Sequence, residues 1–454
     1  MVVPDSLDLI TPYVLREQGD WFEDELRFVR KVIGAGETAI DVGANYGVYA
    51  LSLCAVVGEQ GAVWAFEPAS ATASFLRESI AENRFRGIVL EAAALSDRAG
   101  TGWLAVGSHA ELNRLTATGG QASTEAVPVK TLDQCMAEYG WTDVALLKVD
   151  AEGEEARIVR GGARFFAGLS PLVLFERVHG GGVNAEVIGE FTALGYEIYR
   201  LVPGMDVLVP FDAAPGVEGS LLNLLCCKPD RAARLAARGF LVTAASLAET
   251  AMPVPAGEWS AYLERMPYAA RLADSWRFNA EEPLPGCEAN ALGIGLYVAA
   301  RDPRSDPAMR FASLSEAYVQ LGKACSRAVT ASRLSTLARI AGELGQRTAC
   351  SEALQRIVGR GRRGGMVDLT EPFLVANPRF ELIEPSRLDA WFLASAIEQF
   401  ERVRHYSSFY TGDSALALID QLIELGYGSV EMDARRSVVA ARAAVRVRSE
   451  NRKQ

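Results

Sequence analysis

The sequence has few of the residues from which metal sites and disulfide frameworks are built. It contains three histidines among 454 residues, His109, His179 and His405. Its seven cysteines include no Cys-x-x-Cys pair and no paired metal-ligand spacing. We therefore expect reduced thiols, a cytoplasmic location, no disulfide scaffold and no structural zinc site. Because isolated carboxylates can bind Mg²⁺, metal dependence stays open.

Long hydrophobic runs are also lacking. The longest stretch without a charged residue, residues 42–58, has 17 residues and includes three glycines, an asparagine and a serine. This stretch is too short and too polar to span a bilayer. The first residues are acidic, whereas a signal peptide begins with basic residues. We expect no membrane span.

Basic residues are scarce in the first half of the chain. Residues 1–227 contain 16 Lys and Arg against 31 Asp and Glu, whereas residues 228–454 contain 30 against 26. Binding to nucleic acid depends on cations that release counterions from the phosphates, so we expect no nucleic-acid partner for the acidic half. The contrast predicts two domains, residues 1–227 and residues 228–454.

The acidic half alternates short β-rich segments with helical patterns, which is typical of a sheet with crossover helices. Seven strands are predicted, at residues 38–42, 62–66, 88–92, 144–149, 172–175, 197–201 and 221–226. Helices are predicted at residues 21–33, 46–57, 69–83, 154–160 and 185–194. Residues 102–106 and 126–129 flank a polar segment, 108–124, and predict a hairpin with a long excursion. The fold class is therefore α/β, with a doubly wound, Rossmann-like sheet of seven strands.

The second half loses the β pattern and is predicted to be an all-α domain. Its clearest helices are at residues 231–249, 288–300, 308–323, 330–343, 348–358, 386–402, 413–426 and 431–447. Proline- and glycine-rich breaks are expected at residues 252–257, 282–286 and 359–365. No motif there predicts a chemistry. Substrate selection, partner docking and formation of a homodimer are the roles we consider for this half.

The most informative motif joins the first strand to the following helix and reads Asp-x-Gly-x-x-x-Gly. Its residues are Asp41, Gly43, Ala44, Asn45, Tyr46 and Gly47. Glycines let a ligand approach the backbone at the start of a helix. The spacing differs from the Gly-x-Gly-x-x-Gly of dinucleotide-binding enzymes, and an acidic residue before the first glycine would repel a pyrophosphate. The motif favours a cofactor with an ammonium and a sulfonium, and a tight turn without a ligand is the alternative.

Glu67 and Pro68 follow the second strand, twenty residues after Gly47. At this place in a doubly wound sheet, a carboxylate can accept hydrogen bonds from both hydroxyls of a ribose. We therefore predict that Glu67 binds the nucleoside part of the cofactor.

These motifs resemble the FkbM family of S-adenosylmethionine-dependent methyltransferases over about residues 20–202. The resemblance is carried by residues 41–47, 66–68, 94–97, 129–133 and 147–153. It implies a class I methyltransferase sheet, S-adenosylmethionine as cofactor and S-adenosylhomocysteine as product. It also implies O-methylation of a sugar or secondary metabolite, that is, a small-molecule or glycan acceptor. Ser96 and Asp97 would contact the adenine, and a simple turn is the alternative for them.

Lys148, Asp150 and Glu152 are the first group of predicted catalytic residues. Lys148 and Asp150 are two residues apart on a strand and share a face. Asp150 falls at the carboxyl edge, where such sheets bind ligands, so we predict that it also binds the cofactor, near the transferable methyl group. Methyl transfer is an in-line displacement that requires an aligned acceptor and removal of its proton. A carboxylate with an ordinary pKa near 4 is a weak base for a hydroxyl, so burial must raise its pKa or positioning must dominate. For Glu152, a stabilising acid at a helix start is the alternative.

Glu176 and His179 follow the fifth strand, at the same edge of the sheet. Histidine has a pKa near 6.5, which suits removal of a proton from a hydroxyl, so His179 is a further candidate base. A solvated histidine in a glycine-rich loop is the alternative. Glu176, His179 and Asn113 are predicted to contact the acceptor, and the polar excursion that contains Asn113 is a candidate lid.

The leading hypothesis is an O-methyltransferase with a helical extension, and two other classes stay open. An N-methyltransferase would act on an amine or peptide, which needs less help from a base. In the other alternative, the helical half is a binding module attached to an idle sheet domain. A nicotinamide dehydrogenase is the least compatible with Asp41 and the glycine spacing.

Overall fold

The computed structural model describes residues 1–105, 107, 113–116, 124–179, 182–212, 221–249, 258–281, 283–362 and 368–451. Side chains are described for these residues except 116, 178, 179, 182, 183, 249, 278 and 446–451. The acidic half forms strands and helices in alternation. Its strands are β1 Thr38–Val42, β2 Ala62–Phe66, β3 Ile88–Glu91, β4 Ala94–Leu95, β5 Gly100–Ala105, β6 Arg114–Thr116, β7 Thr124–Lys130, β8 Leu146–Val149, β9 Leu172–Glu176, β10 Val178–His179, β11 Gly182–Val183, β12 Glu197–Val202, β13 Val207–Pro210 and β14 Asn223–Cys227. Its helices are α1 Ile10–Gln18, α2 Asp24–Val32, α3 Val48–Val57, α4 Ser70–Asn83, α5 Leu132–Tyr139, α6 Glu155–Arg160, α7 Ala163–Gly168 and α8 Ala185–Ala193.

The main sheet has the strand order β13-β12-β14-β9-β8-β1-β2-β3. Strands β9, β8, β1, β2 and β3 pair in parallel, and β14 runs antiparallel between β9 and β12. The central parallel strands β1, β8 and β9 are buried on both faces, which explains their largely apolar sequences, whereas the edge strand β3 is partly exposed at Val89. This order confirms the predicted doubly wound sheet. It also brings the carboxyl ends of β1, β2, β8 and β9 to one edge.

Two parts of this half differ from the sequence-based expectation. The sheet gains an eighth strand, β13, which pairs with β12 across the turn at residues 203–206. A four-residue edge strand that ends in proline carries little pattern, so it was not predicted. The predicted hairpin exists as β5 and β7, and the described part of the excursion adds β6 beside β5. Together with β4 these strands form a second, four-stranded sheet.

The second half is helical from residue 229 onward within its described residues, with a single isolated β-bridge at Leu241. Its helices are α9 Pro229–Ala237, α10 Ala244–Glu249, α11 Trp259–Leu263, α12 Pro267–Asn279, α13 Cys287–Ala300, α14 Pro307–Arg327, α15 Ala331–Glu343, α16 Arg347–Arg362, a 3-10 helix Pro378–Leu382, α17 Leu388–Val403, α18 Asp413–Glu424 and α19 Val430–Asn451. The prediction of an all-α half is confirmed. Among the described helices, none has an apolar stretch long enough to cross a membrane.

Two predicted boundaries in the helical half are wrong. Residues 231–249 form two helices, because Gly239 has a φ of +78° and Leu241 then forms a bridge with Leu208 of β13. Helix α16 continues through Gly359 to Arg362, past the start of the break expected at 359–365. There the glycine allows close packing, since a Cβ on Gly361 would lie 2.7 Å from the side chain of Leu393. The break at residues 252–257 lies outside the described residues.

The helical half packs on the sheet domain at several places, through α9, through α13 to α18 and through α19. One apolar cluster contains Val202 and Val207 at the edge of the sheet and core residues of α13 to α18. Helix α1 packs on α19, and the carboxylate of Glu17 accepts hydrogen bonds from the hydroxyls of Ser407 and Ser408. The last strand ends at Cys227, next to the predicted domain boundary. The division into two domains stays a prediction.

Candidate active site

A cavity lies where β1, β2 and β8 end together. In the sheet register, Val42 of β1 is level with Phe66 of β2 and with Val149 of β8. The residues that follow these three strands therefore meet at one edge. Ten of the predicted site residues line the cavity: Asp41, Gly43, Ala44, Asn45, Glu67, Pro68, Asn113, Lys148, Asp150 and Glu152.

The glycine turn after β1 is held by its neighbours on both sides. The amides of Gly43 and Ala44 both donate to the carbonyl of Phe66, at 3.0 Å. Gly43 has a φ of +74°, and a Cβ there would lie 1.7 Å from the carbonyl oxygen of Asp150. The sequence interpretation attributed this glycine to a ligand near the backbone. The structure shows that contact with the end of β8 already requires glycine at this position.

Glu67 connects the second strand to the turn. Its carboxylate accepts hydrogen bonds from the backbone amides of Asn45 at 2.8 Å and Ala69 at 2.9 Å. Burial raises the pKa of Glu67 to about 7, against the opposing effect of these two amides. Each carboxylate oxygen can accept a second hydrogen bond, and the residue lines the cavity. Glu67 is therefore placed to accept from hydroxyl groups of a ligand.

Lys148 lies between two carboxylates beneath the cavity. Its Nζ is 3.4 Å from Asp41 Oδ1 and 3.2 Å from Asp150 Oδ2. The side chain of Asp41 is fully buried, and that of Asp150 is 44% exposed. Burial alone would lower the pKa of Lys148, but Asp150, Asp41 and Glu23 outweigh it and raise the pKa above its ordinary value. Lys148 therefore stays charged, and its predicted catalytic role stays a prediction.

Asp41 is a buried carboxyl group with an incomplete set of partners. Burial raises its pKa, and the charge of Lys148 opposes the rise. Within the described part of the chain, neither of its oxygens receives a well-aligned hydrogen bond. Buried carboxylates are normally paired or hydrogen-bonded, so this group is suited to a ligand that brings donors or positive charge.

The segment after Asp150 is ordered by its own acids. Glu155 accepts hydrogen bonds from the amides of Ala151 and Gly153, and Glu152 has a φ of +50°. Glu152 lines the cavity. Glu155 instead acts as a stabilising acid at a helix start, because it binds the backbone amides before the helix. The left-handed backbone conformation of Glu152 is not that of a right-handed helix, so Glu152 lies in the turn before α6 and not in its first turn.

Four predicted cofactor residues are not among those that line the cavity. Ser96 donates a hydrogen bond to Glu154 at 2.8 Å, and Asp97 follows it. The cavity wall at this point is formed by residues 93–95 instead. Tyr46 packs on the ring of Phe75, and a Cβ on Gly47 would meet the side chain of Leu76 at 2.4 Å. The structure thus gives Tyr46 and Gly47 packing roles and places Ser96 and Asp97 one step away from the cavity.

Glu176 and His179 differ in what the structure shows. Glu176 ends β9 one position beyond Phe175, which is level with Val149, so it lies beside Asp150 along the sheet edge. Burial raises the pKa of Glu176 to about 8, and the charges of Asp150 and Glu152 add to the rise. Glu176 does not line the cavity itself. His179 lies on β10, and its side chain is outside the described residues.

Glu23 and Tyr49 are part of the site but were not predicted from the sequence. Both line the cavity, and the hydroxyl of Tyr49 donates to Glu23 at 2.5 Å. Lys148 Nζ lies 5.2 Å from the centre of the Tyr49 ring. Burial raises the pKa of Glu23, and hydrogen bonds oppose the rise. In the sequence, Glu23 precedes two acids at a helix start, which has an ordinary explanation, so no signal distinguished it.

Comparison with known proteins identifies the domain. Residues 41–198 match the model of the methyltransferase FkbM domain. This part of the chain belongs to the FkbM family. The predicted resemblance is confirmed, and the chain is an S-adenosylmethionine-dependent methyltransferase. No curated protein matches the chain.

Solved structures of methyltransferases are similar over less than half of the chain. The FkbM methyltransferase of Methylobacillus flagellatus is 15% identical over 48% of this chain and 50% of its own, with a TM-score of 0.32. An S-adenosylmethionine-dependent O-methyltransferase of Thermotoga maritima is 14% identical over 45% of this chain and 64% of its own, with a TM-score of 0.26. An rRNA methylase of Streptococcus thermophilus is 7% identical over 45% of this chain and 93% of its own, with a TM-score of 0.27.

The cavity fits the cofactor of this family. S-adenosylmethionine carries an ammonium and a sulfonium, and the incompletely paired carboxyl of Asp41 lies in the cavity wall. It also carries a ribose diol, toward which Glu67 offers two partly used oxygens. The residues that would hold it are Asp41, Glu67 and the turn at 43–45.

Proposed function

We propose that the FkbM domain transfers the methyl group of S-adenosylmethionine to a hydroxyl oxygen of a small-molecule or glycan acceptor. The observation that carries the proposal is the row of acids at the sheet edge: Asp150 beside the cofactor cavity and Glu176 next to it with a pKa of about 8. An acid with a pKa near the working pH accepts a proton from a hydroxyl more readily than an ordinary carboxylate does.

The exposure and charge of the site residues indicate their roles in methyl transfer. When bound, S-adenosylmethionine supplies an electrophilic methyl group on a sulfonium. Lys148 is buried and charged and fixes the carboxylate of Asp150 by an ion pair of 3.2 Å. Asp150 is 44% exposed and faces the cavity, so it can orient an acceptor hydroxyl by accepting its proton in a hydrogen bond. Glu176 then provides a group of suitable pKa for the proton.

Asn113 and Glu23 border the space left for the acceptor. Asn113 accepts a hydrogen bond from the amide of Gly107 at 3.0 Å and lines the cavity ahead of β6. Glu23 also lines the cavity and accepts a hydrogen bond from the hydroxyl of Tyr49. Polar side chains in the cavity wall suit an acceptor with several hydroxyls, such as a sugar or a glycosylated metabolite.

The cofactor part of the proposal can be tested by calorimetric titration of the full chain with S-adenosylhomocysteine. Glu67→Ala removes acceptors for the ribose hydroxyls and should weaken binding about tenfold or more, because each such hydrogen bond contributes about 1 kcal/mol and its loss leaves a donor unpaired. Glu78→Ala, on the exposed face of α4, is the matched control and should bind as the native protein does. Equal affinities of native protein and Glu67→Ala would contradict this placement of the ribose.

The acceptor part can be tested with S-adenosylmethionine labelled in its methyl group and an extract of candidate metabolites. We expect the label in an O-methyl ether, identified by mass spectrometry. With an acceptor in hand, the rate should rise up to about pH 8 as Glu176 loses its proton, and Glu176→Gln should abolish this rise. Label on a nitrogen, or an unchanged pH profile in the variant, would overturn the proposed base and acceptor type.

A further inference from the structure

A second and larger cavity lies between the sheet domain and the helical half. It has a volume of about 800 Å³. One wall is formed by the start of α2 and by β12 with its turn, and the other by α15, α16 and α17. We call it the interdomain cleft. Glu23 lines both this cleft and the cofactor cavity, so the two spaces are adjacent at this residue.

The interdomain cleft contains arginines of two kinds. The first kind is neutralised: Arg339 forms ion pairs with Glu343 and Glu381, both at 2.7 Å. Arg402 likewise pairs with Glu398 at 3.2 Å and Glu431 at 2.7 Å. These arginines fix the helices of the wall, and their charges are used within the protein.

Arg200 and Arg347 belong to the second kind. Arg200 donates to the carbonyl of Leu344 at 3.0 Å, and Arg347 donates to the carbonyl of Arg402 at 3.0 Å. The Arg347 guanidinium also lies 4.0 Å from the centre of the Tyr406 ring. Within the described ranges, no carboxylate lies within 4 Å of either guanidinium. Burial lowers the pKa of both, as expected for charges without a close counter-ion.

The acids on the opposite wall do not supply the missing charge. Burial raises the pKa of Glu25 to about 8, and the charges of Glu23 and Asp24 add to the rise. Burial also raises the pKa of Glu23 and of Asp24. Asp24 is paired with Arg27, and within the described part of the chain the acids on α2 form no ion pair with Arg200 or Arg347.

We propose that the interdomain cleft binds the methyl acceptor and that Arg200 and Arg347 recognise an oxyanion on it, a carboxylate or a phosphate. Guanidinium groups bind both anions through paired hydrogen bonds, and burial strengthens these contacts. The inference rests on the proposed function and deepens it, since it adds a negatively charged group to the hydroxyl-bearing acceptor. It also gives the helical half a role, because Arg347 lies on α16.

The test uses the full chain saturated with S-adenosylhomocysteine, so that the cofactor cavity is filled. Equilibrium dialysis then measures binding of pyrophosphate as the phosphate probe, citrate as the carboxylate probe and glucose as the neutral probe. We expect one or both anions to bind at millimolar concentration or below and glucose to bind more weakly. The ratio of the two anion affinities distinguishes a phosphate group from a carboxylate.

Matched variants assign the binding to the two arginines. Arg200→Gln and Arg347→Gln should each weaken anion binding about tenfold, the effect of losing one charge-assisted hydrogen bond. Arg200→Lys retains the charge and should recover most of the affinity. Arg27→Gln is the control, because Arg27 lines the same cleft but pairs with Asp24. If Arg200→Gln no longer binds S-adenosylhomocysteine, its fold is impaired. Anion binding by Arg347→Gln then tests the inference.

Two results would overturn the inference: neither anion binds, or Arg27→Gln weakens binding as much as Arg347→Gln does. Failure of the proposed function is seen separately. In that case S-adenosylhomocysteine does not bind, or labelled methyl appears on a nitrogen, whatever the anions do.

Discussion

At the end of β8, a single buried ammonium group compensates two carboxylates. Lys148 contacts Asp41 beneath the cavity and Asp150 at its mouth, and it is 3.4 Å from the carbonyl of Gly43. A lysine in such a position acts through its charge, which holds Asp150 in place and offsets the burial of Asp41. Replacement of this residue should therefore affect folding as well as catalysis.

Lys148→Met should lower the free energy of unfolding by roughly 3–5 kcal/mol, because removal of one partner leaves the buried charge of Asp41 uncompensated. The double variant Asp41→Asn with Lys148→Met removes the charge as well and should regain most of this loss. Urea unfolding of the two variants and the native protein measures the difference. A double variant as unstable as Lys148→Met alone would show that the ion pair is not the cause.

Glu25 is a second buried acid whose effect depends on pH. Its raised pKa of about 8 means that the folded state holds the proton more tightly than the unfolded state. The stabilisation is complete below the ordinary pKa of glutamate and is lost as the pH rises through about 8. Glu25→Gln should therefore leave the melting temperature nearly unchanged at pH 5 and raise stability by roughly 1–3 kcal/mol at pH 9. Glu59→Gln at an exposed position is the control, and equal effects of the two variants at pH 9 would contradict the assignment.

At the scale of elements, the site depends on how the end of β1 contacts the end of β8. The glycine turn passes so close to Asp150 that a methyl group at position 43 cannot be accommodated without moving one strand end. In the register of β1 and β8, Asp41 is level with Lys148, whose ammonium contacts both Asp41 and Asp150. A change in the turn should consequently disturb the catalytic acid as well as the cofactor cavity.

Gly43→Ala tests this contact, and Gly19→Ala is its matched control. Both glycines have a φ near +73°, but a Cβ on Gly19 meets nothing within 4 Å. Gly19→Ala should cost only the backbone strain, roughly 1–2 kcal/mol, and leave affinity for S-adenosylhomocysteine unchanged. Gly43→Ala should lose more stability and weaken binding at least about tenfold. Similar affinities of the two variants in calorimetric titration would show that the turn can move without cost to the site.

The elements that could be predicted are those with a strong local pattern. The buried parallel strands are continuous apolar runs, and the motif at 41–47 and Glu67 have fixed places at their ends. In the sheet domain, helices α1, α5 and α7 were not predicted, because each has at most nine residues and a short amphipathic segment has little periodicity. Helix α6 is equally short, but the run of acids before it predicts a helix start. Gly239 was misjudged because a single glycine inside a helical pattern is often tolerated.

The unpredicted part of the site comes from tertiary contacts. Glu23 reaches the cavity because α2 packs beside α3, where Tyr49 donates to it. Arg200 and Arg347 lie 147 positions apart in the chain and meet the same cleft only in the fold. Ser96 lies at the expected position in the sequence, but its hydroxyl donates a hydrogen bond to Glu154. Residue spacing within one segment cannot predict contacts between distant segments.

For the whole molecule, the core does not divide at residue 227. Residues at the edge of the sheet belong to the same apolar cluster as the helices, and Tyr13 of α1 belongs to it as well. Helix α1 contacts α19, so the first helix lies against the last one. The two halves differ in charge, whereas the burial of apolar groups joins them. Since the cleft lies across this junction, binding in it depends on both halves.

Scanning calorimetry of the full chain tests whether this shared core makes the protein one cooperative unit. We expect one thermal transition with a calorimetric enthalpy close to the van 't Hoff enthalpy, because neither half can unfold without exposing apolar residues of the other. S-adenosylhomocysteine is expected to bind in the cofactor cavity of the sheet domain. At saturation it should nevertheless move the entire transition to higher temperature. Two transitions, of which the ligand moves one, would show that the halves unfold independently. In that case anion binding in the interdomain cleft should vanish at the lower transition, when the first half to unfold removes one wall.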